Sequence, residues 1–245
     1  MRILSVSNHK GGVGKTTTTL NLGKALSLQS KKVLLIDNDP QANLSQSLGI
    51  EEPIQSIYHT LVEDQYLPII KVAENLDLVP ADLRLSAAEN KLTTNINGYF
   101  KLKKSIEKIR NNYDFILIDC PPSLGILTIN AMIASSEVLL VVQSQYLAMK
   151  GLDTIIALVE ELKSNVHPSL KVLGLLVTQV NRTLVTKMIT ETLQETYQGK
   201  VFKTIIREST ALREASMMRK DIFEYNNKSS GAEDYMNLSK EIVYE

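Results

Sequence analysis

The stretch Asn8-His9-Lys10-Gly11-Gly12-Val13-Gly14-Lys15-Thr16-Thr17 does most to limit what this chain can become. It follows an apolar run over residues 3–7 and opens onto residues 16–27, where apolar side chains recur three and four apart. The first pattern reads as a buried strand and the second as an amphipathic helix, so the glycines fall at a strand-to-helix turn. Glycine lets successive backbone N–H groups point inward there, and the helix that follows adds the positive end of its dipole. Such a turn holds phosphate. Lys15 stands where an ammonium bridges β- and γ-phosphates, and Thr16 where a hydroxyl ligates Mg²⁺. The nucleotide-binding candidates are therefore Lys10, Gly11, Gly12, Val13, Gly14, Lys15, Thr16 and Thr17.

Further apolar runs lie at residues 32–36, 76–79, 115–118, 138–142, 172–178 and 201–205, with helical patterns at 102–110, 124–134, 152–163 and 187–197. Strand and helix in alternation predict an α/β fold: a doubly wound, mostly parallel sheet with helices on both faces. At 245 residues, with 44 % hydrophobic and 22 % charged side chains, the chain is long enough for one large core and is neither disordered nor fibrous. No linker or repeat divides it, so residues 1–245 are expected to form a single domain. Residues 51–98 are acidic, weakly periodic and carry Pro53, Pro68 and Pro80, which reads as an excursion from the sheet.

Two more strands end in carboxylates. Asp37 and Asp39 follow one, and Asp119 ends another, just where open α/β sheets bind ligands. The first pair suits chemistry at a strand exit, although carboxylates there also suit the capping of the next helix. Cys120, beside Asp119, reads as a buried small hydrophobe. As the single cysteine it forms no internal disulfide, and no Cys/His cluster has zinc or iron–sulfur spacing. No apolar run has the length of a membrane span, so a reducing, cytoplasmic address is expected. Net charge is zero, yet residues 171–220 hold nine basic against four acidic side chains.

The strict phosphate-loop pattern requires glycine five residues before Gly14, where this chain has His9. The extra Lys10 before two glycines instead resembles the deviant phosphate loop of the ParA/MinD group of dimerising ATPases. Asp37-Asn38-Asp39-Pro40-Gln41, Asp119-Cys120-Pro121-Pro122-Ser123-Leu124-Gly125 and the stretch from Ile206 to Ala215 add a specific similarity to the ParA/Soj partition ATPases. The resemblance runs from Ile3 to about Ile242. Iron–sulfur relatives need paired cysteines that are absent here. A MinD-type membrane helix needs a basic tail, whereas residues 238–245 carry one lysine and two glutamates. The clustered tyrosines of a tyrosine-kinase relative are also missing.

What the resemblance implies is a mechanism. Lys15 and Mg²⁺ neutralise the phosphates of ATP, with Thr16 on the metal directly, Asp119 through water and Asp37 in its outer shell; Asp39 places the attacking water, and Lys10 acts in trans across a homodimer. Asn181, Ile206 and Glu208 are implied in base contacts, although the family often has proline at Ile206 and glutamate at Gln145. The ATP-bound dimer is expected to bind double-stranded DNA without sequence preference through Arg182, Lys187, Lys200, Lys203, Arg207, Arg213, Arg219 and Lys220, and to associate with the nucleoid. Release follows hydrolysis stimulated by a ParB-type partner, with slow intrinsic turnover. Operator binding through an N-terminal helix-turn-helix is not expected, nor is a membrane partner. The alternative reading is a related ATPase that positions a membrane-bound or protein cargo.

Overall fold

In the computed structural model, which describes residues 1–144 and 148–244, seven strands form one sheet. They are β1 (Arg2–Ser7), β2 (Val33–Asp37), β3 (Ile70–Ala73), β4 (Leu76–Val79), β5 (Phe115–Asp119), β6 (Glu137–Gln143) and β7 (Lys171–Thr178), in the order β3-β4-β2-β5-β1-β6-β7. Every neighbouring pair is parallel except the hairpin β3–β4. The helices are α1 (Lys15–Leu28), α2 (Asn43–Ser47), α3 (Ile57–Glu63), α4 (Leu85–Thr93), α5 (Lys101–Glu107), α6 (Ile126–Ala134), α7 (Ala148–Asn165), α8 (Leu184–Thr196), α9 (Thr210–Met217), α10 (Ile222–Asn226) and α11 (Ser230–Tyr244). The doubly wound α/β expectation holds. Gln145 lies outside the described residues.

The central strands are apolar along their length because both faces are covered. Leu4, Val6, Val33, Leu35, Leu117 and Leu139 pack in one core with Leu22 and Leu26 of α1 and Tyr235, Leu238 and Ile242 of α11. Their neighbours Leu34, Ile36, Ile116 and Ile118 pack on the other side with residues of α3 to α6, and Val138, Leu140, Leu175 and Val177 with those of α7 and α8. Because β1 lies between β5 and β6, the winding reverses at its C-terminal end. There the crevice for a ligand opens.

Two strand expectations need correction. Residues 201–205 form no strand; Val201 makes an isolated bridge to Leu175, and Arg207 another to Val180. Between them the N–H groups of Lys203 and Thr204 donate to the Glu241 carboxylate at 2.7 and 2.9 Å, which draws the chain off the edge of β7. Conversely, the segment 51–98 is only partly an excursion, since it supplies both β3 and β4. The short, half-buried β3 had escaped notice, and its two-residue turn to β4 uses Asn75 at φ +56°.

Buried Gly98, before α5, meets the Leu92 carbonyl so closely that a Cβ would lie 1.9 Å from its oxygen. A backbone atom cannot step aside as a side-chain end does. Gly98→Ala is therefore expected to cost about 2 kcal/mol through overpacking and to lower the thermal midpoint by about 4–8 °C. Calorimetry showing an unchanged midpoint would contradict this packing.

Candidate nucleotide site

The loop between β1 and α1 is held by its neighbours at each turn. Gly12 and Gly14 adopt φ +74° and +96°, where a Cβ is costly. The Asn8 side-chain amide donates to the Val141 carbonyl at 2.7 Å, and its oxygen accepts from the Lys10 N–H at 2.9 Å. From the end of β7, the Thr178 hydroxyl donates to the Val13 carbonyl and the Gln179 amide to the Gly12 carbonyl, each at 2.7 Å. Buried Lys15 opens α1 and donates from Nζ to the Lys10 carbonyl at 3.0 Å. Burial lowers its pKa, while the nearby carboxylate of Asp119, with Cys120 and Asp39, acts in the opposite direction.

Asp37 and Asp119 are register partners at the ends of β2 and β5, both fully buried. Asp37 Oδ2 accepts from the N–H and the hydroxyl of Ser45 at 2.8 and 2.7 Å, and Oδ1 from the Asp39 N–H at 3.2 Å. Burial nevertheless pushes the Asp37 carboxyl up to about 6. This carboxylate anchors the start of α2 and the Asp39 loop. Asp39 itself is buried, accepts the Gln41 N–H at 2.9 Å and lines the cavity.

Asp119 differs. Its Oδ1 accepts from the Thr19 hydroxyl at 3.4 Å, but Oδ2 is buried without a hydrogen-bond partner among the described residues. Burial raises its pKa well above the carboxylate range, the charge of Asp37 adds to this, and the Thr16 hydroxyl opposes it. An unpartnered buried carboxylate oxygen is costly unless a cation or a water bound to one meets it. With the Thr16 hydroxyl it forms a hard oxygen set of the kind Mg²⁺ takes. No group of three or more His, Cys, Asp or Glu side chains among the described residues could hold a metal unaided. A cation here would therefore need oxygens from its substrate, as Mg²⁺ on phosphates does.

One cavity of about 520 Å³ is lined by the glycine loop, Lys15, Thr16, Thr17, Asp39, Pro122 and Gln179, and by Glu51, Arg219 and Lys220; Asp37 and Asp119 are buried and do not line it. A second cavity of about 400 Å³ shares Gly14, Thr17 and Gln179 with it and brings Ile206 and Glu208 to the same place. Asn181 is not brought there. Its side-chain oxygen accepts from the Thr183 N–H and from the hydroxyls of Thr183 and Thr186, closing the start of α8, and it lines a separate concavity. Cys120 is buried, and burial pushes its thiol up to about 12.

The eight basic candidates do not form one free face. Arg207 is tied through several bonds to Asp234 and Glu233, holding its loop to α11. Lys187 pairs with Glu191, Arg213 with Glu208, Arg219 with Glu51 and Lys220 with Glu224. Arg182, Lys200 and Lys203 are exposed. Ser45, Thr178 and Gln179 were missed by the sequence reading. For the last two a signal existed, since they close a strand at the same end of the sheet as Asp37 and Asp119.

A family model described as an AAA domain matches residues 1–172. The sporulation initiation inhibitor protein Soj of Bacillus subtilis strain 168 is 42% identical over 248 residues, covering 99% of this chain and 98% of Soj. The chromosome-partitioning ATPase Soj of Treponema pallidum strain Nichols is 37% identical over 240 residues, covering 96% of this chain and 94% of that protein. Among solved structures, a cobyrinic acid a,c-diamide synthase from Mycobacterium smegmatis with bound ATP analog and magnesium matches with a TM-score of 0.88 and 31% identity, over 99% of this chain and 94% of that one. No helix among the described residues is long and apolar enough to cross a membrane.

The raised carboxyl of Asp37 has a consequence for stability. Unfolded, it titrates near 3.8; folded, near 6. Between these values the native state keeps a proton that the unfolded state has lost, so stability falls as pH rises through this window, by up to about 3 kcal/mol. Urea unfolding of the ligand-free protein from pH 4 to pH 7 is expected to show this decline, to which buried Asp119 adds, and Asp37→Asn is expected to lessen it without abolishing it. A variant with the same slope as the wild type would remove Asp37 as a source.

Proposed function

The chain belongs to the Soj/ParA family of partition ATPases, and we propose that it is an ATP-dependent DNA partition protein whose nucleotide state switches its hold on DNA. ATP with Mg²⁺ binds at the glycine loop, and the ATP form is a sandwich homodimer that binds double-stranded DNA without sequence preference. A ParB-type partner stimulates slow intrinsic hydrolysis and releases the dimer, which gives a cytoplasmic, nucleoid-associated protein. The observation that carries this reading is the gathering of the glycine loop, Lys15, Thr16 and Asp39 around one cavity, with the unpartnered, fully buried Asp119 oxygen at the end of β5.

Thr16 would hold Mg²⁺ directly and Asp119 through water, and the metal when bound neutralises phosphate charge. Lys15 leaves its bond to the Lys10 carbonyl to meet the β- and γ-phosphates. Asp39, fixed by the Gln41 N–H, orients the attacking water in line with the γ-phosphate. Lys10 stabilises developing charge from the partner protomer, as an arginine finger does. Asp37 acts indirectly, by fixing the loop that carries Asp39. Ile206 and Glu208 border the space for the base.

Binding to random-sequence duplex with ATP, with ADP and without nucleotide, at two salt concentrations, tests the switch. ATP-dependent, salt-sensitive binding is expected; absence of binding in every state, together with retention of a membrane or protein cargo, would replace partition with the cargo reading. Asp39→Ala is expected to lower hydrolysis by about 100-fold or more and to leave an ATP-bound dimer on DNA. Lys10→Ala is expected to lose a comparable factor while still binding ATP. A wild-type hydrolysis rate in either variant would remove that residue's assigned role.

A further inference from the structure

We infer that α5 and the turn after it form a contact ridge for the phosphate backbone of DNA, apart from the C-terminal basic cluster. Residues 101–110 hold Lys101, Lys103, Lys104, Lys108 and Arg110 against a single acid, Glu107. The density is invisible over residues 101–170, where seven basic and seven acidic side chains cancel. Leu102 and Ile106 are buried and seat the helix, so the charges lie on its two outer flanks. Lys101, Lys104 and Lys108 line a concavity of about 500 Å³ with Asn95, Asn97 and Ser105, while Lys103 and Arg110 line another on the far flank.

The charges here are less neutralised than in the cluster after Thr178. Lys101 is held by Asp64 at 2.6 and 2.7 Å, but Lys103, Lys104, Lys108 and Arg110 take part in no ion pair among the described residues. Five of the eight C-terminal candidates are paired with acids. The Lys108 ammonium lies 4.9 Å from the centre of the Tyr66 ring, whose residue is 80% exposed, leaving an aromatic surface beside the lysines. Lysine is a mobile point charge that meets phosphates in any sequence. An acidic peptide would want an apolar anchor in a pocket; around Lys101, Lys104 and Lys108 the lining is asparagine, serine and Asp64 with Phe100 alone as an apolar side chain, while the Lys103 and Arg110 flank carries Met1, Ile3, Ile106 and Ile133 and is where such a peptide would sit instead. The seven-residue helix spans about 10 Å, over which a duplex presents about six phosphates.

This inference rests on the partition reading, and one experiment separates the two. Wild type, the triple variant Lys103→Ala, Lys104→Ala, Lys108→Ala, and the double variant Arg182→Ala, Arg213→Ala are titrated with random-sequence duplex in ATP at several salt concentrations. The triple variant is expected to bind about tenfold or more weakly, with a salt slope shallower by about 0.9 for each lysine removed, and to keep the wild-type thermal midpoint and ATP affinity. The three lysines of the wild type should be protected from acetylation by DNA with ATP and not with ADP. Wild-type binding with an unaffected triple variant and no protection overturns this inference alone. No wild-type binding in any nucleotide state overturns the partition reading and this ridge with it, and protection by polyglutamate but not by DNA assigns the ridge to an acidic protein instead.

Discussion

A buried ammonium beside buried carboxylates, at the ends of the central strands, is the constraint to which the rest of this structure answers. In a parallel sheet covered on both faces, the C-terminal ends of β2 and β5 lie in the interior, so Asp37 and Asp119 lose their water and both titrate high. Two arrangements keep them there. Asp37 is given three donors by Ser45 and Asp39, which requires α2 to start where it does. Asp119 is given the charge of Lys15, which requires that lysine to be the first residue of α1 and therefore Gly14 to turn the chain at φ +96°. The glycine loop is thus demanded twice, by the phosphate it shapes for and by the carboxylate its lysine compensates.

Of six non-glycine residues with positive φ among the described residues, three lie at or beside the same cavity. Ala42, Gln179 and Arg219 hold φ of +53°, +55° and +57°, each a left-handed conformation that costs a residue with a Cβ about 1 kcal/mol or more. Each is held by bonds that fix its position. Ala42 donates its N–H to the Asp39 carbonyl at 2.9 Å, Gln179 binds both Gln143 and the Gly12 carbonyl through its side chain, and Arg219 pairs with Glu51. Gln179 and Arg219 line the cavity, and Ala42 sits between Gln41 and Asn43, which also line it. The sheet provides the frame, and these three turns set where the loops stand on it.

The parts of the fold legible in the sequence were those whose period or punctuation leaves a local mark. β1, the glycine loop and α1 could be read because an apolar run, a glycine turn and a 3–4 recurrence follow within 27 residues. β2 and β5 could be read because burial on both faces makes their sequences apolar until a carboxylate ends them. Residues 201–205 show the limit: locally they are as strand-like as β4, but Glu241, nearly forty residues away, captures two of their N–H groups. β3 shows the converse, since four half-buried residues at an edge carry little pattern and acquire a strand only by pairing with β4. Asp37 was found by position, yet its partner Ser45 was not, because a hydroxyl eight residues on has no spacing rule.

Charge is where local reading says least, and the reason is physical. A window count treats every lysine and arginine as available, but the field outside a protein depends on which charges are already compensated. Arg207 sits among the basic residues that favoured DNA, yet its guanidinium is spent on Asp234 and Glu233, where it fixes the loop beside Ile206. Removing it should therefore disturb the cavity of about 400 Å³ that it lines with Ile206 and Glu208 before it disturbs any outer surface. α5 and the turn after it lie in a stretch of zero net charge, yet they leave four cations without ion pairs among the described residues. A relative with the same sheet and the same glycine loop could differ at both places without altering the fold, so the nucleotide site and the outer charged surfaces are separable in this architecture.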